Sequence, residues 1–163
     1  MKLHSLESVL SYKLGVALSM EHDSLAMLGE LESAASSAEV KHLFSHHADE
    51  TREQIEHLEQ VFERTGLEPK EKPSPTTKGL ATEGSSLLEK VDEPFRDAVA
   101  LSAAGGTEHF EIATYRSLIS LSEALGQSAA VELLSSNLEQ EEHTSTELER
   151  VLKEVLGGLR VAE

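Results

Sequence analysis

Carboxylates stand where a helical core should be, and that one feature narrows what this chain can become. Leu101, Ala104, Glu108, Glu111, Tyr115, Leu118 and Ser122 follow one another at steps of three or four, the spacing that lines a single helix face. Glu108 and Glu111 therefore interrupt an apolar stripe. Three other segments show the same intrusion. Glu21 lies between Leu10, Leu14, Ala17 and Leu25, Leu28, Leu31; Glu50 between Val40, Leu43, His47 and Gln54, Leu58, Val61; Glu141 between Leu134, Leu138 and Leu148, Leu152. A lone carboxylate in a dry core is strongly unfavourable or stays protonated, so converging acids imply shared protons or a neutralising cation. The cation is the simpler explanation.

The acids are evenly placed. Glu21 and Glu50 are 50 − 21 = 29 residues apart, and Glu111 and Glu141 are 141 − 111 = 30 apart. Leu28 and Leu118 stand seven residues after the earlier acid of each pair, and Leu43 and Leu134 seven before the later. The chain thus reads as two copies of a helix hairpin, packed about a pseudo-twofold that brings all four acids to one level.

Nothing alternates at period two for long, so the expected fold is all-α: a four-helix bundle of two hairpins joined by a long crossover with a short extra helix. Its 163 residues make a single domain, 1–163. Helix one is expected from about Leu6 to Ala35, capped by Ser5. Ser36 followed by Glu39 has the form of a capping box opening helix two, which stops at Gly66. Residues 66–79, with Pro69, Pro73 and Pro75, read as the crossover linker. A short helix follows, around Leu80 to Val91. Asp92 caps helix three, which runs to about Leu125 before Gly126, with Gly105-Gly106 marking close backbone packing or a kink. Ser128 caps helix four, expected to end at Gly157-Gly158.

Composition sets limits on partners. The formal net charge is −16, from 30 acidic and 14 basic residues without any Lys/Arg cluster, so a nucleic-acid backbone or an anionic membrane surface would be repelled. Cationic partners, metal ions included, fit better; solubility or adaptation to salt is the alternative source of the acidity. The absence of cysteine excludes disulfides, thiolate metal sites and a cysteine nucleophile. No run approaches the roughly 20 apolar residues that span a bilayer, and Met1 to Ser5 leads straight into an amphipathic helix, so a cytoplasmic protein without a signal peptide is expected.

Carboxylate sites in four-helix bundles hold two iron or manganese ions, with a glutamate from each of two helices and a Glu-x-x-His from each of the others. Glu21 and Glu111 would be the single glutamates, Glu50 and Glu141 the bridging pair. The histidines depart from that pattern: Glu53 stands three residues after Glu50, and Thr144 three after Glu141. The literal Glu39-x-x-His42 lies too early in its helix and reads as a surface coincidence. His47, one turn before Glu50, could be a ligand, a supporting partner, or a buried side chain hydrogen-bonded to an acid. Gln54 could orient a carboxylate or bind weakly, and Ser145 could do little beyond hydrogen bonding. Tyr115 reads as a core tyrosine, a hydrogen-bonding partner of a ligand or a redox-active side chain. Glu108 is open between a fifth carboxylate of the site and a partner for His47 or Arg116. His109 reads as a packed or interface residue, and His57 and His143 as surface partners of Glu53 and Glu139.

With Glu108-His109-Phe110-Glu111-Ile112-Ala113-Thr114-Tyr115 and Leu118, Leu138 to Glu142, Met20-Glu21, and Phe44, His47, Glu50-Thr51 and Gln54, the chain resembles the YciE/YciF family of bacterial ferritin-like, rubrerythrin-related proteins. The resemblance runs from about Leu6 to Leu152. It implies a ferritin-like bundle, often dimeric, with a dinuclear metal centre and a link to general stress responses. Carried over by position, it makes Glu21, Glu50, Glu108, Glu111 and Glu141 the metal-site acids. Departures lie in helix four, where Glu142 replaces the family's usual lysine and Ser145 a frequent acid, so a compensating cation close to the site is lost. Two functions follow as expectations. One is a two-ion iron or manganese protein oxidising ferrous iron or handling oxygen or peroxide. The other is a non-catalytic helical-bundle stress protein that dimerises or binds a partner, with Leu18, Leu25 and Val99 offering a homodimer face. A ferritin-like storage shell lacks any sign of the many interfaces it needs.

Overall fold

Residues 2–161 are described by a computed structural model, with side chains to residue 159. In order they form α1 (Leu6–Ala34), α2 (Ala38–Thr65), α3 (Pro75–Leu88), a single 3-10 turn (Glu93–Phe95), α4 (Arg96–Ala124) and α5 (Ser128–Val161). α1 packs along α2 and α4 along α5, and the two hairpins meet through α2 with α5 and α1 with α4. This is the expected all-α bundle of two hairpins, with α3 as the short extra helix lying mainly on α4. No described helix is long and apolar enough to cross a membrane.

Local chemistry sets most helix ends. The Ser5 hydroxyl accepts from the Ser8 amide while Ser8 returns the favour to the Ser5 amide, both at 3.1 Å. Gly66 ends α2 in the left-handed region, at φ 70°. The Ser36–Glu39 box does not form. Ser37 is the cap of α2, its hydroxyl accepting from the Val40 amide, and the Ser36 and Ser37 amides donate instead to the Asp97 carboxylate of α4 at 2.6 and 3.0 Å. A carboxylate from across the bundle thus does what a local glutamate was expected to do. Pro75 opens α3 within the expected 66–79 linker, because the first helical position needs no amide donor. Asp92 precedes the 3-10 turn rather than α4 itself. α5 runs straight through Gly157-Gly158, neither of which adopts positive φ. Gly105-Gly106 makes no tight contact either: a Cβ on Gly105 would meet nothing within 4 Å, and one on Gly106 only Leu80 at 3.9 Å.

The apolar core falls into two clusters. One gathers Leu10, Leu14, Ala17, Leu58, Phe62, Tyr115, Leu118 and Leu134; the other Leu28, Leu31, Val40, Phe44, Leu101, Ala104, Leu148 and Val151. Between them lies a buried polar layer that holds Glu21, His47, Glu108, Glu111 and Glu141. Of the residues expected at a dimer face, Leu18 is buried in the first cluster, whereas Leu25, packed on the second, and Val99, lining a cleft beside α3, are half-buried.

The crossover is pinned at Gly15. The Lys72 amide donates to the Gly15 carbonyl at 2.9 Å, and a Cβ on Gly15 would stand 2.2 Å from the Lys70 carbonyl oxygen. Alanine's better helix propensity contributes about 1 kcal/mol, but driving a methyl into rigid backbone costs about 3 kcal/mol. Gly15→Ala should therefore destabilise by about 2 kcal/mol, whereas Gly29→Ala, with nothing within 4 Å, should stabilise by about 1 kcal/mol. Thermal unfolding of the two variants checks this; a Gly15→Ala protein as stable as the parent would refute the pinning.

Candidate metal centre

Each long helix delivers side chains to the polar layer. α1 brings Glu21, α2 brings His47 with Glu50 three residues on, α5 brings Glu141, and α4 brings Glu108 and Glu111, whose three-residue spacing keeps both on one face. One donor atom from each of His47, Glu108, Glu111 and Glu141 lies within 4.8 Å of the other three. None of these four residues is more than 2% exposed.

His47 is held from behind. Its Nδ1 stands 3.4 Å from Glu50 Oε2 and 3.3 Å from the Thr144 hydroxyl, which itself donates to Glu50 Oε2 at 3.2 Å. A carboxylate on one ring nitrogen fixes the imidazole so that the other is free to ligate. That other nitrogen, Nε2, lies 2.9 Å from Glu108 Oε1 and 3.8 Å from Glu141 Oε2, yet is aligned for no hydrogen bond among the described residues.

The electrostatics are those of crowded acids. Burial, opposed by the Tyr115 hydrogen bond and by His47, pushes Glu21 up to about 7. Burial first, then Glu21 and Glu108, hold Glu111 well above the carboxylate range; burial with Glu111, Glu108 and Glu21 does the same to Glu141. Burial works against charge on His47, but Glu108, Glu50 and Glu111 outweigh it and raise its pKa well above the usual value. Burial and the Glu21 charge keep the proton on Tyr115, whose hydroxyl donates to Glu21 Oε1 at 2.5 Å. Glu50 titrates low, because His47, His46 and Thr144 outweigh its partial burial.

Buried polar atoms are nearly always paired. Here Glu21 Oε2, His47 Nε2, Glu108 Oε2 and both oxygens of Glu111 and of Glu141 have no hydrogen-bond partner among the described residues. Donors around one first-row divalent ion, bonded at about 2.1 Å, stand at most about 4.2 Å apart, so the observed span of 4.8 Å fits an ion after slight contraction. One imidazole among carboxylates suits iron, manganese or zinc better than magnesium or calcium. The buried His/Glu cluster could thus hold a metal ion.

Glu108, Glu111 and Glu141 come together with His47. Glu21 sits beside them, bonded to Tyr115 and close enough to raise both Glu111 and Glu141. Glu50 lies outside the donor group, its side chain 16% exposed, and acts on His47. Gln54 is buried with both amide atoms unpaired among the described residues, and is not one of the converging donors. Glu108 faces His47, not Arg116, which is at the surface with Glu142 at 2.6 Å. The Glu142 charge is therefore spent on Arg116 rather than directed at the site. His109 is exposed and caps the Gly105 carbonyl at 3.0 Å. His57 contacts Asn137 at 2.7 Å in place of Glu53, which accepts from Gln140.

Asn137 and Thr144 had no assigned role in the sequence. The Asn137 amide donates to the Tyr115 hydroxyl at 3.0 Å and to the Gln54 carbonyl at 3.2 Å, tying α5 to α4 and α2 beside the acids. Its position four residues before Glu141, on the same stripe, was the available signal.

Known proteins place the chain. The model of the family described as Domain of unknown function (DUF892) matches residues 5–157. Protein YciF of Escherichia coli K12 is 33% identical over 150 residues, covering 91% of this chain and 90% of that one. The crystal structure of the E. coli stress protein YciF matches with a TM-score of 0.91 at 32% identity, over 96% of this chain and 99% of that one. YcfI of Rhodopseudomonas palustris matches with a TM-score of 0.88 at 30% identity, over 91% and 95% of the respective chains. A family match over nearly the whole length, joined to a full-length relative one-third identical, makes this chain a member of the DUF892 family, a YciF-like helical bundle.

Proposed function

We propose that the protein holds two divalent iron or manganese ions in the polar layer of its core, as a dinuclear carboxylate centre that reacts ferrous iron with oxygen or peroxide. The observation that carries this reading is the charge of the layer. Fully ionised, Glu21, Glu108, Glu111 and Glu141 hold four negative charges, which two divalent ions neutralise with His47 uncharged. His47, Glu108, Glu111 and Glu141 would hold one ion, and Glu21 beside them would help to hold the other. Iron or manganese in such a donor set supplies one-electron chemistry. The chain's own part is to orient and to exclude. Glu50 and Thr144 aim His47, Asn137 fixes Tyr115, Tyr115 holds its proton against Glu21, and the two apolar clusters keep water out. All these residues come from one chain, so a homodimer is not required to build the site.

Elemental analysis of protein made in iron- and manganese-rich medium and purified without chelator should find about two ions per chain, beyond any held at the surface. Oxygen consumption on ferrous addition would then establish the reaction. Protein that carries no metal and melts unchanged when metal is added would instead favour a non-catalytic bundle, a reading that draws on the description of YcfI as a candidate structural protein.

A further inference from the structure

Glu50 has a different environment at each oxygen. Oε2 faces inward, to His47 and Thr144, whereas Oε1 faces outward, 3.7 Å from His46 Nε2. Outside it, α2 and α5 part to leave a cleft of about 260 Å³, lined by His42, His46 and His143 together with Glu50 and His47. Four of the chain's eight histidines thus line one opening. His42 and His46 are one turn apart on α2, the spacing at which two imidazoles close on a single ion, and both are exposed with no core to pack into. His143 lines the same cleft from α5; these exposed side chains are not drawn together as the inner donors are, so an ion would have to gather them. The guanidinium in the same cleft, Arg150, is engaged by Glu147 at 3.1 Å and Glu154 at 2.8 Å. On the inner side of the cleft stands the buried His47, whose Nε2 has no hydrogen-bond partner among the described residues.

We infer that this cleft is an outer metal site, in which His42, His46, His143 and Glu50 Oε1 capture a divalent transition ion at the surface and pass it by way of Glu50 and His47 to the buried carboxylates. The inference rests on the inner cluster being a metal centre. Its chemical use is selection. Carboxylates alone also accept magnesium and calcium, whereas imidazoles favour first-row transition ions, so a histidine-lined entrance filters what reaches the hard oxygen donors. The ion keeps its charge throughout, and the protons it displaces leave to solvent.

Cobalt(II), followed by its visible absorption and by equilibrium dialysis, tests both sites separately. The parent should bind one ion beyond its inner complement. The triple variant His42→Ala, His46→Ala, His143→Ala should lose that ion and reach the same inner occupancy about ten-fold more slowly. A double variant, Glu111→Gln with Glu141→Gln, should lose the inner ions and keep the outer one. A triple variant that loads at the parental rate with the parental number of ions overturns the outer site and leaves the inner one standing. A double variant as rich in cobalt as the parent removes the inner centre while the outer site survives. A double variant that binds none overturns the outer site.

Discussion

Stripped of metal by a chelator, the protein should lose thermal stability as pH rises from about 5 to about 8, by roughly 10 °C, the opposite of ordinary acid denaturation. The sign follows from where the protons sit. Glu21 titrates at about 7 in the folded chain against 4.5 when exposed, and burial with the neighbouring acids holds Glu111 and Glu141 well above the ordinary carboxylate value too. Between those values the folded state binds more protons than the unfolded one, so stability falls as pH climbs. His47 acts in the same direction: its raised pKa contributes stability that is complete below the ordinary histidine value and lost as pH passes the folded one. Glu50 has the opposite sign, but its depressed pKa matters only below the carboxylate range. Glu21 alone contributes about 3 kcal/mol of this slope. Added manganese should reverse the trend, raising the melting temperature most at alkaline pH, because the ion replaces the protons that the ligands must shed. Melting curves over this pH range, with and without manganese, decide the matter. A chelated protein whose stability rises with pH would mean that the acids are not crowded in the folded state.

That slope is the thermodynamic image of a core cut in two. The apolar clusters on either side of the acids would join if Glu111 and Glu141 were leucines, and the bundle would then be the more stable without metal. On the proposed reading, a sequence that keeps the acids gives up stability in the chelated state in return for a site whose donors would be placed before an ion arrives. Thr144, Asn137 and Tyr115 show how that placement is maintained: each bonds a group in or beside the layer, and none belongs to the converging donors.

The acids on α1, α4 and α5 were legible in the sequence because each broke an otherwise apolar stripe. α2 was harder to read. His47 and Glu50 lie three residues apart, about 60° around the helix, and a stripe argument cannot say which of the two faces the centre. The bundle turns His47 in and leaves Glu50 behind it. Glu108 was ambiguous as well, since its place in a stripe does not say whether it joins the other acids or pairs with His47 or Arg116. Asp97 and Gly15 carried no local signal at all: one caps a helix some 60 residues earlier, the other makes room for a crossover. The glycine pair at 157–158 misled in the other direction. Helix propensity marks it as a helix end, but a difference of about 1 kcal/mol per residue is too small to interrupt a helix packed along its length.

Replacing one inner acid should separate stability from metal binding. Glu111→Gln and, independently, Glu141→Gln keep the shape of the side chain and remove its charge. Glutamine can donate an amide hydrogen to Glu21 or Glu108 at any pH, where the native side chain can do so only while it keeps its proton. The chelated variants should therefore be more stable than the chelated parent near pH 8, by about 2 kcal/mol, with a flatter dependence on pH. Their affinity for manganese should fall by at least about 100-fold, because an amide oxygen carries no charge to offset the ion. Glu50→Gln should behave differently. It lies outside the donor group, and its loss should weaken metal binding through His47 by about ten-fold without stabilising the chelated protein. Denaturant titration and manganese binding measured on the three variants separate the two roles. If Glu111→Gln proved less stable than its parent and bound metal unchanged, the carboxylates of the layer would be structural partners of one another, and the reading of the core as a metal centre would have to be abandoned.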